Sequence, residues 1–135
     1  MIRQLDEKTL VSGQIAPHEV AGLAQQGVTM LVNNRPDGEE PDQPLAGEIE
    51  QAAVAAGISY RFVPIIRGIG PADVEEMQKA RREAGDGKLL AFCRSGTRSA
   101  LTLAVAQREE GASAEEIVRQ LNQAGFDHGP IAHLL

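Results

Sequence analysis

Short apolar runs separated by polar, glycine-containing segments recur along the chain and predict a series of β-strands. Residues 28–34 ("VTMLVNN") form a compact apolar run typical of a buried strand, and residues 88–92 ("KLLAF") form a second one. In residues 58–65 ("ISYRFVPI") the positions alternate as they do in a strand. The first fifteen residues contain further short extended pieces. The pattern therefore predicts strands distributed over the whole length.

Between these runs, apolar residues recur at helical spacing and predict helices. Pro17 lies where a first helical turn would begin, and Gly27 lies where that helix would end. Ser113 is a predicted N-cap, with Glu116 three residues later to complete a capping box. The remaining helices are predicted over residues 45–56, 71–84 and 99–110, with a short final piece beginning near residue 129.

Alternating strands and helices without repeats or linkers predict one domain over residues 1–135 with an α/β fold. We expect three layers, with a mostly parallel central sheet and helices on both of its faces. In such sheets, ligands bind beyond the carboxyl ends of the strands. Cys93 follows the strand "KLLAF" directly, so the topology predicts that it lies in the functional site.

Composition narrows the functional classes. A formal net charge of -6 argues against general nucleic-acid binding. No segment is apolar enough for a membrane span, and the N-terminus lacks the order of a signal peptide, which predicts a cytoplasmic protein. The single cysteine forms no internal disulfide and excludes a zinc site of several thiolates. The histidines show no metal-ligand spacing, so we expect neither a metal nor a cofactor.

The segment "CRSGTRS" (residues 93–99) carries the candidate chemistry. A tight strand-to-helix loop can turn backbone N–H groups toward an anion, and the positive end of the following helix favours a thiolate at Cys93. Arg98 can bind an oxyanion through two parallel N–H groups. We expect Cys93 and Arg98 to be catalytic. The predicted substrate-binding residues within the loop are Arg94, Ser95, Gly96, Thr97 and Ser99, with the Ser99 hydroxyl donating to the sulfur.

The chain is similar to the DUF442 family, also called the beta-lactamase-hydrolase-like, phosphatase-like domain. The resemblance is carried in order by "SGQI", "VNNRPDGEEPDQP", "AAGISYRFVPI", "FCRSGTRSA" and "NQAGFD", which span nearly the full length. The family has been described both as a sulfur transferase and as a phosphatase. The resemblance implies a fold like that of protein-tyrosine and dual-specificity phosphatases.

The loop departs from the phosphatase pattern and resembles that of rhodaneses. Phosphatases of this fold have five residues between the cysteine and the arginine, whereas Cys93 and Arg98 enclose four. The acidic residue expected after the strand "YRFVPI" is replaced by a stretch containing Arg67. We therefore predict a sulfurtransferase that passes sulfane sulfur from a small anionic donor through a Cys93 persulfide to a thiol acceptor. Relatives often carry a joined metal-dependent hydrolase of sulfide metabolism, which is an expected partner.

Two alternatives remain open. The first is a phosphatase acting through a Cys93 phosphocysteine, with Asp37, Glu39, Asp42 or Asp73 reaching in as the acid. The second is a redox or sulfide sensor, for which an exposed thiol without turnover would suffice.

Arginines outside the loop are further candidates. Arg35, after the strand of residues 28–34, adds a second cation to the site or forms surface ion pairs only. Arg67 binds substrate or is a solvated link residue.

Overall fold

The computed structural model describes residues 1–135 and contains five β-strands and five α-helices. The strands are β1 (Ile2–Asp6), β2 (Thr9–Ser12), β3 (Val28–Asn33), β4 (Ser59–Phe62) and β5 (Lys88–Phe92). The helices are α1 (Val20–Gln25), α2 (Ala46–Ala56), α3 (Pro71–Ala84), α4 (Thr97–Glu109) and α5 (Ala114–Ala124). Single 3-10 helices occupy Pro17–Glu19 and Gly129–Leu134. None of the helices combines the length and apolar character that crossing a bilayer requires.

The strands form one sheet in the order β1-β2-β5-β3-β4. Only the edge strand β1 runs antiparallel, and the other four strands are parallel. Phe92 at the end of β5 is level with Ser12 of β2 on one side and Asn33 of β3 on the other. The segments that follow these three strands therefore meet at one edge of the sheet, which is the site that the topology predicts.

The side chains of the central strands alternate between two cores. On β5, Leu89 and Ala91 belong to a cluster of 22 buried residues, whereas Leu90 and Phe92 belong to a cluster of 10 on the other side. Helices α3, α4 and α5 cover the larger cluster, and α1 and α2 cover the smaller one. Because successive strand residues point to opposite faces, this arrangement confirms the predicted three-layer α/β/α architecture.

The start of one predicted helix and one predicted capping box differ from the structure for local reasons. Helix α4 begins at Thr97 and not at residue 99, because Gly96 is its N-cap and its carbonyl accepts the N–H of Ala100 at 2.9 Å. Only half of the predicted capping box forms. The Ser113 hydroxyl accepts the N–H of Glu116 at 3.1 Å, but the Glu116 carboxylate is taken by Arg119 and Gln120.

Candidate functional site

The Cys93 loop (residues 93–99) returns the chain from β5 into α4 and holds the sulfur at its base. The Cys93 Sγ accepts the backbone N–H of Gly96 at 3.1 Å, and the cysteine is only 1% exposed. Gly96 has φ of +95°, a left-handed conformation that a side chain would oppose. This turn at Gly96 closes the loop over the sulfur and allows α4 to begin one residue later.

Most backbone N–H groups of the Cys93 loop lack acceptors within the chain. No backbone or side-chain atom of the protein accepts the N–H groups of the following five loop residues: Arg94, Ser95, Thr97, Arg98 and Ser99. The last three belong to the first turn of α4, where the helix dipole places partial positive charge. The loop thus offers a group of free donors and a positive helix end beside one sulfur, which suits an anionic ligand.

The segment after β2 fixes the Cys93 loop from one side. The Cys93 N–H donates to the carbonyl of Ser12 at 3.2 Å, and the Gln14 N–H donates to the carbonyl of Arg94 at 3.3 Å. Between them, a Cβ on Gly13 would lie 2.9 Å from the Arg94 carbonyl oxygen, closer than real side chains approach backbone. Gly13 is therefore needed for this close packing of two backbones.

Arg98 is bound by a carboxylate of the acidic loop, which we define as residues 34–45 between β3 and α2. Its Nη1 and Nη2 donate to the two carboxylate oxygens of Glu39, both at 2.8 Å, and Nη1 also donates to the Ile65 carbonyl at 3.0 Å. The Glu39 hydrogen bonds raise the pKa of Arg98, and the neighbouring Cys93 sulfur raises it further. The guanidinium of Arg98, which was predicted to bind an oxyanion, therefore lies beside the sulfur. Its two Nη groups are already bound to Glu39.

Arg35 and Arg94 complete a cluster of three arginines around two carboxylates. Arg35 is 3% exposed, donates from Nε to Glu39 at 2.9 Å and from Nη1 to the Gln14 side chain at 3.0 Å, and leaves its buried Nη2 without a hydrogen bond. Arg94 is exposed and pairs with Glu40 at 2.9 Å. Hydrogen bonds from Arg98 are the largest cause that lowers the pKa of Glu39 to about 2, so this carboxyl is ionised at neutral pH.

The structure contradicts one predicted contact of the site and also shows where the Cys93 thiol and Arg67 lie. The Ser99 hydroxyl does not reach the sulfur; it is fully buried and donates to the side-chain oxygen of Asn34 at 2.7 Å, because α4 begins early and turns it inward. The Cys93 thiol is not exposed, because the turn at Gly96 covers it. Arg67 is exposed and makes no hydrogen bond or ion pair, so the structure does not bring it into the cluster.

The other predicted loop residues lie at the mouth of the site. Ser95 and Thr97 are exposed, and their hydroxyl oxygens are 3.3 Å apart. Neither hydroxyl bonds to any other group of the chain, so both are free to contact a ligand above the loop.

None of the four carboxylates considered as a proton donor is free beside the sulfur. Glu39 reaches the site but is held ionised by arginines. Asp37 accepts the N–H of Ala46 at the start of α2, and Asp73 accepts the N–H of Gly70 at the start of α3. Asp42 is exposed on the acidic loop and makes no hydrogen bond.

Sequence reasoning missed two residues that support the site. Asn34 is fully buried, accepts from Ser99, and donates to the Val63 carbonyl at 2.9 Å, which ties β3, β4 and α4 together. Gln14 holds both Arg35 and the Cys93 loop. Both are polar residues within two positions of the end of a parallel strand, β3 for Asn34 and β2 for Gln14, at the edge of the sheet where a site is expected.

Comparison with known proteins identifies similar chains. The sequence model of the family described as "Beta-lactamase hydrolase-like protein, phosphatase-like domain" matches residues 1–110. A beta-lactamase hydrolase-like protein of Xylella fastidiosa (strain Temecula1) is 38% identical over 130 residues. The match covers 95% of this chain but only 30% of that protein, so the chain spans about a third of its relative's length.

Solved structures agree on the fold. A candidate phosphatase of Neisseria meningitidis Z2491 superposes with a TM-score of 0.79 and 31% identity, covering 99% of this chain and 98% of the other. The active form of Tk-PTP gives a TM-score of 0.74 at 18% identity, covering 98% of this chain and 91% of the other. These neighbours have protein-tyrosine and dual-specificity phosphatase-like folds, which confirms the predicted fold class.

Proposed function

Because the chain belongs to the family of beta-lactamase hydrolase-like, phosphatase-like domains, we propose that it is a cysteine-dependent phosphatase acting on phosphomonoesters with good leaving groups. The observation that carries this proposal is the Cys93 sulfur at the head of α4, among unpartnered loop N–H groups and beside Arg98. The description of the Neisseria relative as a candidate phosphatase supports the same chemistry.

The reaction follows from the loop. The Cys93 thiolate attacks phosphorus, an S–P bond forms, and the P–O bond to the leaving group breaks with its electron pair on that oxygen. Loop N–H groups and Arg98 stabilise the charge on the transferring phosphoryl oxygens. A water molecule then attacks the phosphocysteine, the S–P bond breaks, and inorganic phosphate leaves with the water's oxygen and protons while the thiolate is regenerated.

The carboxylates of the site restrict the leaving group. A general acid normally protonates the departing oxygen of a phosphoester. Here Glu39 is ionised and bound to two arginines, and Asp37 and Asp73 cap helices. The leaving oxygen must therefore be stable as an anion, which favours aryl phosphates over alkyl or sugar phosphates.

A sulfurtransferase is the second candidate, and one observation favours it. The loop "CRSGTRS" has four residues between Cys93 and Arg98 and resembles a rhodanese loop. Sulfur transfer needs no acid, because sulfite or a thiolate leaves readily from a sulfane sulfur. The relatives reported above are described by phosphatase or hydrolase names, so we rank this function second.

The expected partner also belongs among the proposals. The Xylella relative is about three times as long as this chain. We propose that a metal-dependent hydrolase acts beside this domain. The sensor hypothesis stays a prediction, because the burial of Cys93, which is 1% exposed, applies equally to oxidation and to attack on a substrate.

One preparation tests both candidate functions. Hydrolysis of 4-nitrophenyl phosphate and transfer of sulfur from thiosulfate to cyanide are measured side by side, with the Cys93→Ser variant as the control. We expect phosphate hydrolysis to exceed sulfur transfer and to fall by at least about a thousandfold in Cys93→Ser. Sulfur transfer without phosphate hydrolysis in the wild type would replace the first function with the second.

A further inference from the structure

Beside the Cys93 loop lies an apolar groove of about 340 Å³ that the proposed mechanism does not use. It runs between the segment after β4 and the C-terminal 3-10 helix (Gly129–Leu134). Its apolar walls are Ile65, Ile69, Leu101, Ile131 and Leu134. Thr97 and Arg98 of the Cys93 loop also line it, so the groove is continuous with the site.

The two sides of the Cys93 loop differ in chemistry. On one side, the acidic loop presents Glu39 and Glu40, bound to the site arginines. On the other, no aspartate or glutamate lines the groove, and Arg98 and His133 are its ionisable residues. An anionic substrate seated on the loop would meet carboxylates on the first side and apolar surface on the second. Its remaining part is therefore directed toward the groove.

From this arrangement we propose that the groove binds the apolar part of the substrate, which makes the preferred substrate an aryl phosphate with an alkyl-extended ring. The proposal rests on the proposed phosphatase function and names its substrate class. The size fits, because a cavity of about 150 Å³ holds benzene, and the groove has about 340 Å³. Leu134, which is 45% exposed at the end of the groove, would be covered by the alkyl extension.

A substrate series tests the groove at constant leaving-group chemistry. Phenyl, 4-ethylphenyl and 4-butylphenyl phosphate differ in apolar length, but their phenols have nearly the same acidity. We expect kcat/KM to rise at least about fourfold from phenyl to 4-butylphenyl phosphate, the effect of burying one methylene group. A flat series with measurable turnover of phenyl phosphate would overturn the groove and leave the phosphatase function standing.

Two variants at exposed residues test whether the preference for the longer substrate arises in the groove. Leu134→Ser shortens the groove wall, and Val54→Ser makes a comparable change on α2, on the opposite face of the sheet. We expect the ratio of kcat/KM for 4-butylphenyl phosphate to kcat/KM for phenyl phosphate to fall toward one in Leu134→Ser. The same ratio should stay at the wild-type value in Val54→Ser. Equal ratios in Leu134→Ser and the wild type would contradict the proposal.

Binding without turnover separates this proposal from the catalytic one. Calorimetry with Cys93→Ser compares phenylphosphonate with 4-butylphenylphosphonate, neither of which can be hydrolysed. Binding of the butyl compound at least about fourfold tighter supports the groove even if the wild type hydrolyses nothing. Equal binding, or no binding of either compound, overturns it. So does a concentration-dependent dimer that Leu134→Ser abolishes, because a second copy would then occupy the groove.

Discussion

The acidic loop and the Cys93 loop occupy equivalent places in the fold but contribute different chemical groups to the site. Each follows a buried parallel strand, and the two strands are neighbours, β3 and β5. The Cys93 loop supplies the sulfur, free N–H groups and two arginines. The acidic loop supplies one further arginine, Arg35, and the two carboxylates that bind all three. The site is therefore a cluster of three arginines and two carboxylates with one excess positive charge, in which a substrate anion competes with Glu39 for Arg98.

The largest expected effect comes from removing the arginine that joins the two loops. Arg98→Ala loses the donors that stabilise phosphoryl charge and also releases Glu39. We expect kcat/KM for 4-nitrophenyl phosphate to fall by about 10²- to 10³-fold, with the fold retained by circular dichroism. Arg98→Lys should not restore it, because an ammonium lacks the planar fork. Full turnover in Arg98→Ala would remove Arg98 from the mechanism.

The next largest effect concerns the stability of the acidic loop. Arg35→Ala leaves Glu39 without its buried partner and opens a space beside Gln14. We expect the free energy of unfolding in urea to fall by about 2 kcal/mol, less than for a fully buried pair, because Glu39 is partly exposed and keeps Arg98 as a partner. Arg94→Ala removes an exposed ion pair in the same cluster and should change stability much less. Equal losses would mean that burial of Arg35 has no energetic role.

Acid should weaken the contact between the two loops through Glu39. The folded state lowers the pKa of this carboxyl from 4.5 to about 2, so its contribution is complete above pH 4.5 and is lost as the pH falls toward 2. Since almost a third of the side chain is exposed, we expect a contribution of about 1–2 kcal/mol.

The Glu39→Gln variant isolates that contribution. Its stability should fall less steeply than that of the wild type over the same acid range, as measured by urea unfolding at a series of pH values. Asp42→Asn is the matched control, because Asp42 lies on the same loop without a partner. Parallel pH profiles for Glu39→Gln and the wild type would show that Glu39 does not carry the acid sensitivity.

The smallest expected effect tests the polar contact beneath the two loops. Ser99→Ala removes the hydroxyl that donates to Asn34 and leaves a buried side-chain oxygen unpaired. We expect a loss of about 1 kcal/mol of unfolding free energy. Ser99→Thr keeps the donor and serves as the comparison. A loss in Ser99→Ala of no more than the error of the urea titration would argue that the contact with Asn34 has little weight.

The elements and the position of the nucleophile could be predicted because both depend on local information. The apolar run of residues 88–92 and the break after it are visible in the chain, and a topological rule places Cys93 at the sheet edge. The choice of partner for Arg98 could not be predicted. It depends on Glu39, 59 residues away, and on a loop conformation that Gln43 fixes by accepting the N–H of Glu39.

The order of the two candidate functions could not be predicted from the loop motif either. The motif "CRSGTRS" favours sulfur transfer when considered alone. The family and the structural neighbours favour phosphate chemistry. The groove was not foreseen either, because it joins residues near position 65 to residues near position 131, and no periodicity in the sequence links them.

Phe126 links the Cys93 loop to strand β1 and to the segment after α5. The guanidinium of Arg3, from the first strand, lies 5.1 Å from the centre of the Phe126 ring, and the tip of that ring would be 3.4 Å from a Cβ on Gly96. The turn over the sulfur is therefore packed against a residue that follows α5. Phe126→Ala removes this packing, and we expect a thiol reagent to label Cys93 faster in that variant than in the wild type.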